Sequence, residues 1–214
     1  MKIFGFPVSP YVRKVLVTAK EKGLDVEVVP SNPMQPDADF LAASPYRKIP
    51  GFQDGEFQLA DSTAITIYLD AKYPEPSLLP ADPEALGRAV WFEEVGDTVL
   101  MQAAGPMMFN RFLKAKILGE QSDEAAASAA QEALEGRLPY LEGVLGEDGW
   151  LDGAYSLGDI GIASCLKAYS YADWHLDAAA FPKLAAWYER VTARPGWKAA
   201  AEIESAILSA ALGD

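Results

Sequence analysis

Cysteine and histidine are almost absent from this chain: Cys165 and His175 stand alone of their kinds in 214 residues. A lone cysteine forms no disulfide within the chain, no CxxC redox pair and no cysteine-rich zinc site. A lone histidine excludes a multi-histidine metal cluster. It leaves a serine–histidine–aspartate hydrolase only if His175 itself serves. Long apolar runs are missing too. None reaches the ~18 residues that a membrane span needs, and the opening MKIFGFPVSPYV lacks the uninterrupted apolar core of a secretory signal. Basic charge is scarce, with 18 Lys and Arg against 31 Asp and Glu and a formal charge of −13. Nucleic acid and anionic membrane are therefore poor partners, because a polyanion is repelled rather than steered. The expectation is a soluble, reduced, cytoplasmic protein.

What is present is apolar and unevenly charged. Half of the residues are hydrophobic and 11% are aromatic. A chain of this length forms one or two domains and buries roughly 70% of its unfolded surface without a staple. Residues 1–75 hold 8 basic and 10 acidic side chains, and residues 76–214 hold 10 and 21. The nearly balanced first third is thus the better place for a small anionic ligand.

Two periods divide the chain. Residues 2–6 read as a strand. Residues 10–22 show helical spacing, with Val12, Val15, Leu16 and Ala19 on one face and a stop at Gly23. Residues 26–29 read as a second strand and 37–43 as a short helix. Residues 51–52 and 56–59 flank Asp54-Gly55, a hairpin dipeptide. Residues 62–73 are helical. This order predicts a mixed sheet with helices packed on it. Residues 74–83 contain four prolines, a linker composition. Helices then follow near 84–113, 123–145, 156–173, 182–193 and 197–211, with Gly105-Pro106 expected to kink or split the first. The fold class is an α/β N-terminal part followed by an all-α part.

Four segments carry candidate chemistry. Ser9-Pro10 lies between the first strand and the first helix, with proline at the first helical position and serine at the cap. Backbone amides and the helix dipole converge there, a good place for an anion. A serine hydroxyl there can accept from the backbone and still donate outward, although on this segment alone a plain helix cap with no chemistry is the default. Lys48-Ile49-Pro50 precedes the hairpin. An ordinary trans turn is the default there, whereas a cis bond would turn the Ile49 backbone outward toward a ligand. Asp61-Ser62 opens the next helix, where Ser62 could cap and Asp61 accept from an amine. Tyr155-Ser156-Leu157-Gly158-Asp159-Ile160 has capping-box spacing, flanked by an apolar pair, and reads as a folding signal.

In this order and spacing, Ser9-Pro10, Lys48-Ile49-Pro50, Asp61-Ser62-Thr63-Ala64-Ile65 and Ser156-Leu157-Gly158-Asp159-Ile160 resemble the cytosolic glutathione transferase family, in a bacterial, serine-type form. The resemblance covers almost the whole chain. It implies a thioredoxin-like glutathione-binding domain over 1–75, a linker over 76–83 and an all-helical domain over 84–214. Ser9 stands where thiol-transferase-like members carry cysteine, which argues against disulfide exchange, and the Ser-Ser-Cys motif of the maleylacetoacetate isomerase class is missing.

The resemblance also implies roles. Ser9 would donate a hydrogen bond to the glutathione sulfur and favour its thiolate. Ile49, beside a cis Pro50, would pair through its backbone with the cysteinyl unit. Asp61 and Ser62 would hold the γ-glutamyl end, and Lys48 would contribute near the glycyl end. Tyr11, Met108 and Phe112, with Met107 and Phe109 beside them, would line a pocket for an apolar electrophile. Such a Met and aromatic stripe also suits a core. No metal or resident cofactor is implied, glutathione being a co-substrate, and the partner is a second copy in a homodimer. Two alternatives stand: a glutathione-fold binding or stress-regulatory protein without transferase activity, and a glutathione-dependent isomerase or dehalogenase.

Overall fold

β1 (Lys2–Phe4), α1 (Pro10–Glu21), β2 (Glu27–Val29), α2 (Ala38–Ala43), β3 (Gly51–Asp54), β4 (Phe57–Ala60) and α3 (Ser62–Lys72) follow one another in the order that the sequence periods predict. The computed structural model describes residues 1–147 and 149–212. These fall into two compact units: Met1–Leu79 together with the segment from Thr192 onward, and Pro80–Val191. Among the described residues, no helix is long and apolar enough to cross a membrane.

In the first unit the strands form one sheet in the order β2-β1-β3-β4. β1 pairs parallel with β2 across the α1 crossover, and antiparallel with β3. Phe4, Phe40 and Ala43 cluster on the sheet, with Val29 and Ile49 against them. α1 buries the predicted face, Val12, Val15, Leu16 and Ala19, completely. It stops where Gly23 takes a φ of +67°, a left-handed conformation that glycine adopts without strain.

The hairpin turn lies one residue later than the sequence suggests. Asp54 pairs with Phe57, so the two-residue loop is Gly55-Glu56. Gly55, at φ +62°, takes the first central position, as in a II′ turn. Asp54 remains in the strand, where its carboxylate accepts from Tyr68 Oη at 2.9 Å and from Lys72 Nζ. The Lys72 bond holds the Asp54 carboxyl below its ordinary range.

The final helix, read from the sequence as 197–211 of the helical half, belongs to the first unit. Numbering helices along the chain, it is α10 (Pro195–Leu212), and it packs on α1. Arg13 Nε lies 2.8 Å from Glu204 Oε2 with both side chains buried, and Arg194 Nη2 lies 2.7 Å from Glu21 Oε2. At Gly196 a Cβ would sit 2.6 Å from the Glu21 backbone nitrogen, so only glycine allows this approach. This packing buries Arg13, which a solvent-facing helix would leave wet.

The regular elements of the second unit, among the described residues, are all helical: α4 (Pro83–Glu94), a π-helical stretch Val95–Leu100, α5 (Met101–Met107), a second π stretch Met108–Leu118, α6 (Glu124–Glu135), α7 (Leu138–Val144), α8 (Leu157–Tyr169), a 3₁₀ turn Ser170–Ala172 and α9 (Pro182–Thr192). Pro106 does not split the first helical run, which continues to Leu118. Pro106 itself lies in α5, and the second π stretch begins two residues after it. The helix expected over 123–145 instead breaks at Gly136-Arg137, and Pro139 occupies the first turn of α7, where a missing N–H costs nothing.

α8 is the core of this unit and is buried along nearly its whole length. Its capping box forms as expected. Gly158 N donates to Ser156 Oγ at 3.2 Å, and Ser156 N donates to Asp159 Oδ2 at 2.9 Å. Asp159 does more than cap, because its Oδ1 also accepts from Leu151 N at 3.0 Å and Trp187 Nε1 at 2.6 Å. Burial pushes its carboxyl above the usual range, against these donors. Tyr155, flanking the box, sets its ring edge-on to Trp150 at 4.9 Å.

Loss of the Ser156 cap should cost about 1 kcal/mol. Asp159→Ala strands two buried backbone amides and an indole, each worth about 1–3 kcal/mol, so it should lower the melting temperature several-fold more than Ser156→Ala. Equal shifts in calorimetry would show that Asp159 is only a cap.

Candidate active site

The register of the sheet decides where the candidate residues meet. Phe4 pairs with Gly51, and Gly51 pairs with Ala60. One end of the sheet therefore carries three chain segments: residues 5–9 leaving β1, Lys48-Ile49-Pro50 entering β3, and Asp61-Ser62 leaving β4. The sequence separates these segments by some forty and ten residues, and the ladder brings them to one edge.

Ser9 is the N-cap of α1, with φ −67° and ψ 128°, and Pro10 follows at the first helical position. Its carbonyl accepts the first helical bond from Arg13 N at 2.9 Å. Its hydroxyl makes no capping bond, so the plain-cap reading does not describe it.

Ile49–Pro50 is a cis peptide. Ser44 clamps the residue before it: Ser44 Oγ donates to Lys48 O at 2.6 Å and accepts from Lys48 N at 3.1 Å. Ile49 packs close to Gly5, where a Cβ would fall 3.0 Å from Ile49 Cβ and 2.7 Å from Val12 Cγ2. Gly5 has φ +142° as well, so both space and backbone require glycine. Neither Gly5 nor Ser44 was legible as a site residue: Gly5 acts through Ile49, distant in sequence, and Ser44 through the backbone shape of the loop to Lys48, which no spacing pattern records. The Lys48 side chain is exposed.

Asp61, not Ser62, caps α3. Asp61 Oδ1 accepts from Ala64 N at 3.0 Å. Ser62 is the first helical residue and is buried, with its carbonyl accepting from Thr66 Oγ1 at 2.9 Å. Asp61 is exposed and holds φ +80°, a conformation that costs a non-glycine residue of order 1–3 kcal/mol. Such strain persists where the surrounding structure fixes it, and it gathers at ligand sites.

Tyr11, in the first turn of α1, is half-buried. Met108 and Phe112, in the second unit, are also half-buried, and the Phe112 ring lies 5.6 Å from that of Tyr171. Met107 is fully buried and belongs to the core. Phe109 is exposed, beneath Lys114 Nζ at 5.3 Å from the ring centroid.

The profile of the glutathione S-transferase N-terminal domain matches residues 3–77, and that of the C-terminal domain matches 98–195. A glutathione S-transferase of Hyoscyamus muticus is 32% identical over 209 residues, covering 94% of this chain and 98% of its own. The chain belongs to the glutathione S-transferase family. Solved glutathione S-transferases share the fold. One from Rhodospirillum rubrum F11 superposes with a TM-score of 0.84 at 27% identity, over 93% of this chain and 90% of its own. Glutathione S-transferase-I, solved with lactoylglutathione, gives 0.81 at 26%, over 94% and 98%.

Glycine at position 61 would lose the cap, at a cost of a few tenths of a kcal/mol, but would relieve the positive φ. Asp61→Gly should therefore melt within about 2 °C of the parent protein, as read by calorimetry. A large drop would show that the Asp61 carboxylate is a stability element.

Proposed function

We propose that this glutathione transferase conjugates the glutathione thiolate to apolar electrophiles, with Ser9 stabilising the thiolate. The observation that carries this reading is the Ser9 hydroxyl, which sits at the start of the twelve-residue helix α1 and is not used to cap it. Its proton can be directed outward, beside the positive end of the helix dipole.

A free thiol titrates near 8.5, so only a few per cent is thiolate at neutral pH. A hydrogen bond to a charged acceptor contributes about 1.5–3 kcal/mol, and one pKa unit corresponds to about 1.4 kcal/mol. Ser9 with the helix terminus can thus lower the thiol pKa by roughly one to two units. The thiolate sulfur then attacks an electrophilic carbon. A C–S bond forms, and the electron pair leaves with the departing group or moves into an activated π system. Proximity supplies much of the remaining acceleration.

We assign the rest of the glutathione site to the same end of the sheet. Ile49 offers its backbone to the cysteinyl unit, Asp61 and Ser62 take the γ-glutamyl ammonium and carboxylate, and Lys48 reaches the glycyl end. The relative solved with lactoylglutathione supports a glutathione ligand on this fold. Tyr11, Met108 and Phe112 are our assignment for the electrophile. The working unit is a homodimer, which sedimentation at micromolar concentration checks. A fully active species near 23 kDa, the mass of one chain, would overturn that assignment.

Ser9→Ala should raise the pH at which bound glutathione ionises, read by thiolate absorbance, by roughly one to two units. Conjugation at neutral pH should then fall about 8- to 25-fold and recover as pH rises, with glutathione affinity little changed. Identical titrations would show that Ser9 does not activate the sulfur. Asp61→Gly should weaken glutathione binding without the thermal loss of an unfolded protein.

A further inference from the structure

Asn110 is buried in the helical unit, 5% exposed, and no role described so far uses it. Its amide spans two elements. Nδ2 donates to Pro106 O at 2.9 Å, and Oδ1 accepts from Asp123 N at 3.0 Å. In an α-helix the Pro106 carbonyl would accept from the Asn110 backbone N–H. Here the Asn110 side chain reaches that carbonyl, at the point where α5 gives way to the π stretch Met108–Leu118. Asp123, on the other side of the bridge, is itself the N-cap of α6, with its carboxylate accepting from Ala126 N at 3.0 Å.

A π turn closes i→i+5 instead of i→i+4. The side chains beyond it are therefore rotated relative to the positions they would hold in a continued α-helix. Met108 and Phe112 lie on this stretch, and Phe112 rests on Tyr171. The far end of the stretch is held independently. Gly119 closes it in a left-handed conformation at φ +65°, and Lys116 Nζ lies 2.7 Å from Asp173 Oδ1. The near end has the Asn110 bridge, and asparagine is suited to it because one planar group supplies a donor and an acceptor.

We infer that Asn110 is a positioning residue for electrophile recognition: it fixes the α-to-π junction and so sets the direction in which Met108 and Phe112 present their apolar side chains. The inference rests on the assignment of Met108 and Phe112 to the electrophile. It makes selectivity among apolar electrophiles a property of the junction and not only of the side chains that touch them.

The test is steady-state kinetics over a series of aryl and alkyl electrophiles of increasing size, with glutathione saturating. Asn110→Leu removes both hydrogen bonds at similar volume. Asn110→Asp keeps the acceptor for Asp123 N and replaces the donor to Pro106 O by a carboxylate oxygen that repels it, and it serves where the leucine variant does not fold. The expected result is an electrophile KM raised about ten-fold, the equivalent of one buried hydrogen bond, with the rank order of electrophiles changed. The KM for glutathione and the pH of thiolate formation should match the parent protein. A cycle with Phe112→Ala should be non-additive in electrophile KM. A parallel loss for every electrophile, an unchanged rank order or an additive cycle would overturn the inference and leave Asn110 a stability residue. Failure of the broader reading appears separately, as a parent protein that does not bind glutathione, and it would overturn this inference as well.

Discussion

The pairing of Phe4 with Gly51 and of Gly51 with Ala60 is the constraint on which the site depends. A strand register has a period of two, so a slip of one residue would turn every side chain to the opposite face. It would also carry Pro50 and Asp61 away from the end of β1. The glycine-lined contact between Gly5 and Ile49 reinforces the register at its open end, where no further strand pairing holds it. The geometry of the candidate site is thus a consequence of backbone hydrogen bonding, which is stiff, rather than of long side chains, which are not.

α1 connects that geometry to the remainder of the first unit. The helix begins at the candidate-site end of the sheet and packs on β1, α3 and α10, so its start has little freedom to move. The buried pair between Arg13 and Glu204 loses much of its attraction to desolvation. Its effect is to tie the last helix of the chain to the turn of α1 that follows Ser9. The start of the chain and the segment near its end are therefore parts of one unit.

The helical unit solves a different problem. α8 is buried along almost its whole length and must start correctly before its neighbours can pack, so its first turn carries a complete set of hydrogen bonds centred on Asp159. The neighbouring helix α4 approaches closely at Gly158, where a Cβ would lie 2.8 Å from Phe92 Cβ. The long helical run from α4 to Leu118 continues through Pro106, with π stretches on both sides of α5, and the Asn110 side chain donates to the Pro106 carbonyl where the second of them begins.

Local signals made much of this legible. Proline after serine marks the start of α1, glycine with a positive φ marks its end, and the serine–aspartate spacing marks α8. Each depends on a few adjacent residues and on backbone sterics, so the amino-acid order alone determined the element order, the division between mixed sheet and helices, and the positions of Ser9, Ile49-Pro50 and Asp61-Ser62. The tertiary structure decided what these residues do for one another. It moved the hairpin turn to Gly55-Glu56 because Asp54 is held in its strand by Tyr68 and Lys72. It made Asp61 the cap in place of Ser62, carried α10 to the first unit, and kept the run through Pro106 helical. All four outcomes turn on partners far away in sequence or on backbone geometry beyond a residue's own preference, and a helical or strand period records which face is apolar but not what will cover it.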